Sequence, residues 1–175
     1  MSAVLVLVDL QKEYTTPDSP FYLDNIEPAL GNLRKLQDHA RKNSWHIIHI
    51  KHQQNAEIFG YGSPSSEFIE GFEAIGDERE MIKQNFSCFS SPDFTALIDR
   101  HRNMDFVIAG FSAAMCCLST IIDAHHRGYE FIYVADATAA RRTEHFDEIT
   151  VKNCVVDIAK AYCHVVNTSD ILKNI

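Results

Sequence analysis

Short runs of consecutive apolar residues alternate along this chain with longer stretches in which apolar side chains recur every three or four positions. Val4, Leu5, Val6, Leu7 and Val8 form the first run. It is continuous rather than alternating, which predicts a strand buried on both faces. Residues 26–42 follow at helical spacing, with Ile26, Leu30, Leu33, Leu36 and Ala40 on one stripe. Residues 45–50 predict a second strand. From about 53 to 80, Gly60, Gly62, Pro64, Gly71 and Gly76 break any period, and the segment reads mostly as loop and turn. The rhythm then resumes, with strands over 81–83, 104–109, 130–135 and 163–166 and helices over 91–102, 114–127 and 144–160.

Strands alternating with helices of this length predict a three-layer α/β/α fold on a mostly parallel sheet of about six strands. No repeat, low-complexity tract or shift in composition divides the sequence, and 175 residues suit one domain spanning 1–175. In such sheets the crossovers are right-handed and ligands bind beyond the carboxyl ends of the strands. The chemistry is therefore expected just after Val8, Ile82, Ala109 and Ala135.

Composition narrows the partners. Hydrophobic residues make up 46% and charged residues 23%, and the formal net charge of -8 comes with no basic run. Phosphate binding needs clustered Lys and Arg, so no nucleic-acid partner is expected. The apolar run at 3–8 is too short to span a bilayer and lacks the basic flank and cleavage site of a signal peptide, so no membrane partner and a cytoplasmic location are expected. The five cysteines, Cys88, Cys116, Cys117, Cys154 and Cys163, include no CxxC pair. In a reducing compartment each is a small core residue or a reactive thiol.

Three strand ends carry reactive groups. Asp9 directly follows the first strand, where partial loss of solvent raises a carboxylate's pKa towards general-base values; a turn or capping role is the alternative. Lys83 closes the short third strand, with a solvated surface lysine as the alternative. After Gly110, the segment Phe111-Ser112-Ala113-Ala114-Met115 leads to Cys116 in the first turn of a helix. Free N–H groups and the positive end of the helix dipole stabilise a thiolate there, and the same N–H groups suit an oxyanion. Cys117 points about 100° away around the helix and reads as core.

These residues resemble the isochorismatase-like cysteine hydrolase family, which includes nicotinamidases and N-carbamoylsarcosine amidase. The matching pieces are Val6-Leu7-Val8-Asp9-Leu10-Gln11, Lys83 through Phe89, and Gly110-Phe111-Ser112-Ala113-Ala114-Met115-Cys116-Cys117. Asp123-Ala124-His125-His126-Arg127-Gly128-Tyr129 and Val134-Ala135-Asp136-Ala137 complete them. The resemblance implies a catalytic triad of Asp9, Lys83 and Cys116, an oxyanion hole from the backbone N–H groups of Ser112 and Cys116, and a cis peptide at Phe111–Ser112. Two positions depart from the family. Ala113 stands where a threonine is common. Nicotinamidases bind a metal through an Asp-x-His after the second strand and a later histidine, whereas this chain has His49 and His52, with no histidine from there to His101. Residues three apart on a strand face opposite sides, and His125 and His126 diverge on a helix. No metal site, no cofactor and no nicotinamidase activity are expected.

The expected function is hydrolysis of a small amide or ester through a thioester on Cys116, with Asp9 as general base and acid and Lys83 as the supporting cation. A vinyl ether hydrolase without a covalent step, and a binding protein that has lost turnover, are the alternatives. Tyr14, Phe21, Tyr22, Phe59 and Tyr61, together with Gln11 of the first motif, are candidates to wall the substrate pocket, with loop packing as the alternative for the aromatics. Arg141 and Arg142 read first as a solvated loop pair, with recognition of a carboxylate as the alternative. A homodimer or larger homo-oligomer is expected. Ile58, Phe59, Tyr61, Phe68, Ile69 and Phe72, or the helix near Cys116, would contact the neighbour.

Overall fold

In the computed structural model, which describes residues 3–174, six parallel strands form one sheet in the order β3-β2-β1-β4-β5-β6. They are β1 (Ala3–Val8), β2 (His46–His52), β3 (Arg79–Lys83), β4 (Asp105–Gly110), β5 (Phe131–Thr138) and β6 (His164–Val166). The helices are α1 (Glu27–Lys42), α2 (Pro92–Arg100), α3 (Leu118–His126), α4 (Glu148–Ala159) and α5 (Thr168–Asn174). The expected three-layer parallel architecture is thus present. Met1, Ser2 and Ile175 of the expected 1–175 span lie outside the described residues.

Alternate residues of β1 feed two cores, because successive side chains of a strand point to opposite faces. Ala3, Leu5 and Leu7 pack with Leu30, Leu33 and Leu36 of α1 and Ile171 of α5. Val4, Val6 and Val8 pack with Phe94 and Ile98 of α2, Ile121 of α3 and Val155 of α4. Both faces of β1 are covered, which is why its sequence is an unbroken apolar run.

The structure departs from the sequence reading at several boundaries. The strand expected over 81–83 starts at Arg79, where it pairs with Ile48 of β2. β5 runs on to Thr138 because a register shift between Ile108 and Gly110 carries it past an irregularity, and the Thr138 hydroxyl donates to the Ala135 carbonyl at 2.9 Å. The helix expected from 144 begins at Glu148, where the Asp147 side chain accepts the Thr150 N–H at 2.7 Å. α5 was not expected at all. Its first turn is fixed by Asp136 of β5, whose Oδ1 accepts both the Thr168 N–H and the Thr168 hydroxyl at 2.7 Å. That contact spans 32 residues and leaves no local signature.

Most of the mid-chain apolar segment is buried within its own chain. Phe59, Ile69 and Phe72 are buried in the α1-side core of the same chain, and Phe68 is also buried. Phe68 receives the Lys51 ammonium 5.2 Å above its ring, and Phe72 the Arg34 guanidinium at 5.5 Å. These apolar loop side chains pack against their own fold, while Ile58 is partly buried and Tyr61 is exposed. Among the described residues, no helix is long and apolar enough to cross a membrane.

Gly110 closes β4 at φ +125, and a Cβ there would lie 2.2 Å from the Val8 carbonyl oxygen and 2.7 Å from the Val8 nitrogen. Both obstacles are backbone and cannot swing aside. Gly110→Ala is expected to destabilise the protein by about 3 kcal/mol, from the disfavoured φ and the clash together. Urea unfolding checks it, and an unchanged midpoint would show that β1 and β4 have room to separate.

Candidate active site

Three chain reversals at the carboxyl edge of the sheet bring the reactive groups together. Asp9 leaves β1 with φ 51, a left-handed conformation that Asp tolerates better than most residues. Its N–H still donates to the Ile50 carbonyl at 2.9 Å, so the turn is tied to β2. Lys83 ends β3, two strands away, and reaches across the end of β2 to place its ammonium 2.8 Å from Asp9 Oδ2. Cys116 arrives from β4. The Phe111 N–H donates to the Val8 carbonyl at 2.8 Å, and the Phe111–Ser112 peptide is cis. The Ser112 carbonyl accepts from Met115 N–H at 3.3 Å and Cys117 N–H at 3.2 Å, the two that flank the N–H of Cys116. The second of these spans five residues, making Ala113–Cys117 a π-turn ahead of α3. Such wide turns recur at functional sites because they displace one side chain from the regular spiral.

The three side chains meet in a dry place. Asp9 is 0% exposed, Lys83 1% and Cys116 5%. The Lys83 ammonium donates to Cys116 Sγ at 3.3 Å as well as pairing with Asp9. Burial alone would lower the Lys83 pKa, but the Asp9 carboxylate and the Cys116 sulfur beside it reverse that, and the ammonium is held charged. Burial pushes the Cys116 thiol well up and the Asp9 charge adds to this, while Lys83 pulls it down. Burial and the Asp9 charge thus favour the protonated sulfur, against the pull of Lys83. Among the described residues Asp9 Oδ1 has no hydrogen-bond partner, and Oδ2 is held by the ion pair with Lys83.

Cys116 opens into a cavity of about 310 Å³. Tyr14, Phe21 and Phe59 wall one side, with Phe21 and Phe59 ring centres 5.1 Å apart and Tyr14 and Phe59 5.5 Å apart. His52, Gln54, Gln84 and Asn85 supply polar edges, and Phe86 and Met115 stand at the rim. A cleft of about 540 Å³ lies between β3 and α2, lined by groups such as Asp77, Arg79 and Arg100, and contains none of the three reactive side chains.

Not every expected pocket residue is there. Gln11 is fully buried and spends its amide on backbone: Nε2 donates to the carbonyls of His52 at 3.0 Å and Ser66 at 2.6 Å, and Oε1 accepts the His52 N–H at 2.8 Å. Tyr61 is 54% exposed outside the cavity and accepts from Gln84 Nε2 at 2.9 Å. Tyr22, Arg141 and Arg142 border a separate shallow depression, with Arg141 bonded to the Pro20 carbonyl and lying over the outer face of Phe21. Sequence reasoning missed His52, Gln54 and Asn85. The one signal for them was position, since His52 ends β2 beside Lys83.

The histidines do not converge as metal ligands. His49 points to the α1 face, where Nε2 donates to Glu78 Oε2 at 2.8 Å, while His52 faces Lys83. Among the described residues, no group of three or more His, Cys, Asp or Glu side chains is arranged to hold a metal ion. These residues do not fit the metal site of nicotinamidases. Cys88 and Cys117 are buried core thiols, with burial pushing Cys88 up to about 12 and Cys117 well above its usual value.

Comparison with known proteins shows the family. The isochorismatase domain model matches residues 3–170. The chain belongs to the isochorismatase family. This isochorismatase-family hydrolase is 26% identical over 152 residues to the uncharacterized isochorismatase family protein YddQ of Bacillus subtilis, covering 85% of this chain and 84% of YddQ. It is 22% identical to the maleamate amidohydrolase of Pseudomonas putida over 187 residues, covering 98% and 85% of the two chains. Its fold superimposes on the crystal structure of an isochorismatase from P. putida KT2440 with a TM-score of 0.84 at 26% identity, covering 96% and 89%.

Lys83→Met is expected to cost about 3–5 kcal/mol, because it strands the Asp9 carboxylate in a dry site. The double variant Asp9→Asn/Lys83→Met should lose less than Lys83→Met alone, a cycle read by urea unfolding at pH 7. pH gives an independent check. Burial lowers the pKa of both His49 and His52 from 6.5, so between the unfolded and folded values the unfolded chain binds more protons. Stability should therefore be fully present above pH 6.5 and fall as pH drops below it. A flat profile between pH 7 and 5 would contradict this.

Proposed function

We propose that this protein hydrolyses a small amide or ester through a thioester on Cys116. The observation that carries the reading is one ammonium, Lys83 Nζ, lying 2.8 Å from Asp9 Oδ2 and 3.3 Å from Cys116 Sγ, with Cys116 opening into a cavity. In the first step Asp9 takes the thiol proton as the sulfur attacks the carbonyl carbon. Lys83 then faces a forming thiolate while Asp9 becomes neutral, so the net charge of the buried group does not change. The carbonyl oxygen gains the negative charge and is received by the N–H groups of Ser112 and Cys116. Asp9 returns its proton to the leaving nitrogen or oxygen as the C–N or C–O bond breaks. Asp9 then deprotonates a water that attacks the thioester, releasing the acid and restoring the thiol.

A raised resting thiol suits this order of events. A standing thiolate would be open to any small electrophile, whereas a thiol beside a carboxylate gives up its proton as the attacked electrophile accepts the electrons. The cavity volume suits a small substrate, and its aromatic wall suits a planar part. The relative named maleamate amidohydrolase supports amide cleavage as the reaction class.

Cys116→Ala is expected to abolish hydrolysis across a panel of small amides and esters, whereas Cys117→Ala should mainly lower stability, by about 1 kcal/mol. Near-normal turnover by Cys116→Ala would remove the covalent step. Activity should also survive prolonged chelation; a loss restored by one divalent metal would refute the metal-independent reading.

A further inference from the structure

The site contains a residue that the mechanism above does not use. His52 ends β2 directly beside Lys83, its register partner on β3, so the sheet itself sets their side chains next to each other. His52 Nδ1 lies 3.2 Å from Lys83 Nζ. The ammonium has three N–H bonds but four acceptors around it: Asp9 Oδ2 at 2.8 Å, the Asn85 carbonyl at 3.1 Å, His52 Nδ1 at 3.2 Å and Cys116 Sγ at 3.3 Å. Asn85 and His52 are fixed points, and Asp9 and Cys116 are the two groups between which a proton moves. The lysine can serve the moving pair only if the fixed pair holds it in place.

The tautomer of His52 follows from a chain of donors that ends on a carbonyl. The Ile58 carbonyl can only accept, so the Gln54 side chain presents its nitrogen there, at 2.9 Å. Its oxygen is then the atom turned towards the His52 ring, beside which the Asn85 carbonyl takes its hydrogen bond from Lys83 at 3.1 Å. An oxygen requires an N–H from the ring, and with Nδ1 facing an ammonium that N–H is on Nε2. The ring is further held by the Gln11 amide on the His52 backbone and by an edge contact with Phe59 at 5.2 Å.

We propose that His52 is a positioning residue, locked as the neutral Nε2–H tautomer, whose Nδ1 captures one N–H of Lys83 and so aims the remaining donors at Asp9 and Cys116. The inference rests on the thiol mechanism for its catalytic consequence, but not for the hydrogen-bond chain itself. The charged and titratable groups facing the ring are Lys83, whose charge with burial lowers the His52 pKa, and Asp9, which opposes it; Cys116 shares the cavity wall with the ring. Protonation would place an imidazolium against the ammonium and break the chain at Nδ1.

Two measurements test this separately. Two-bond ¹H–¹⁵N correlation spectra of the imidazole rings should show His52 as the Nε2–H tautomer at pH 7, and Lys83→Met should shift its titration upwards. An Nδ1–H tautomer, a charged ring at pH 7 or an unmoved titration would overturn the proposal. Alkylation of Cys116 by iodoacetamide, resolved by mass spectrometry, provides the chemical readout. His52→Phe keeps the ring contact and removes the acceptor, and should slow alkylation about tenfold at pH 8. His52→Asn puts an oxygen near the Nδ1 position and should restore the rate to within about threefold. Equal rates for His52→Phe and the wild type, or equal losses in both variants, would refute the positioning role. Normal hydrolysis by Cys116→Ala would instead sink the covalent mechanism while leaving the tautomer result to stand or fall alone.

Discussion

Everything at this site depends on a pair of opposite charges with almost no access to water. Asp9 and Lys83 are buried at 0% and 1% exposure and meet at 2.8 Å. Removing two ions from water costs several kcal/mol each, and the attraction between them repays that only in a well-made geometry. The parallel sheet supplies the geometry. Strands β1, β2 and β3 all end at one edge, so a carboxylate from the first and an ammonium from the third can meet over the end of the second. An antiparallel β3 would have presented Lys83 at the opposite rim.

The thiol is brought to that pair by backbone that few residues could replace. Gly110 lies so close to Val8 that no side chain fits between β4 and β1. The chain can therefore turn sharply over the end of β1 and enter the π-turn that carries Cys116. Ala113 stands with its N–H donated to the Ala139 carbonyl at 2.8 Å, tying this turn to the loop after β5. Four consecutive strand ends thus contribute to one small volume: β1 through Asp9, β2 through His52, β3 through Lys83 and β4 through Cys116.

The five cysteines show how environment, not residue type, assigns chemistry. Cys88 and Cys117 share the burial of Cys116 but not its contacts, and Cys154 is exposed on α4. Thr120 keeps the region in place, accepting the Cys88 N–H at 2.9 Å and donating to the Cys116 carbonyl at 2.7 Å. Of the three buried thiols, Cys116 is the one that receives a hydrogen bond from Lys83 and opens to the cavity.

Much of this could be read from the sequence. The unbroken Val4–Val8 run demanded a strand covered on both faces, the strand–helix alternation demanded a parallel sheet, and the parallel sheet pointed to the residues just past each strand. Asp9, Lys83 and Cys116 stand at such positions, and it was the resemblance to the isochorismatase-like cysteine hydrolases that grouped them as a triad. Local pattern had no access to contacts between distant segments. It could not say that Gln11 clamps the end of β2 instead of lining the cavity, that Phe68 and Phe72 are consumed by their own chain, or that Asp136 starts a last helix 32 residues away. Nor could it single out His52, an ordinary strand residue until the β2–β3 register sets it against Lys83. The sequence by itself determined which groups reach the edge of the sheet, because periodicity is a local property. Only the tertiary structure decided which of them touch, because hydrogen bonds are made over about 3 Å between residues that the chain holds far apart.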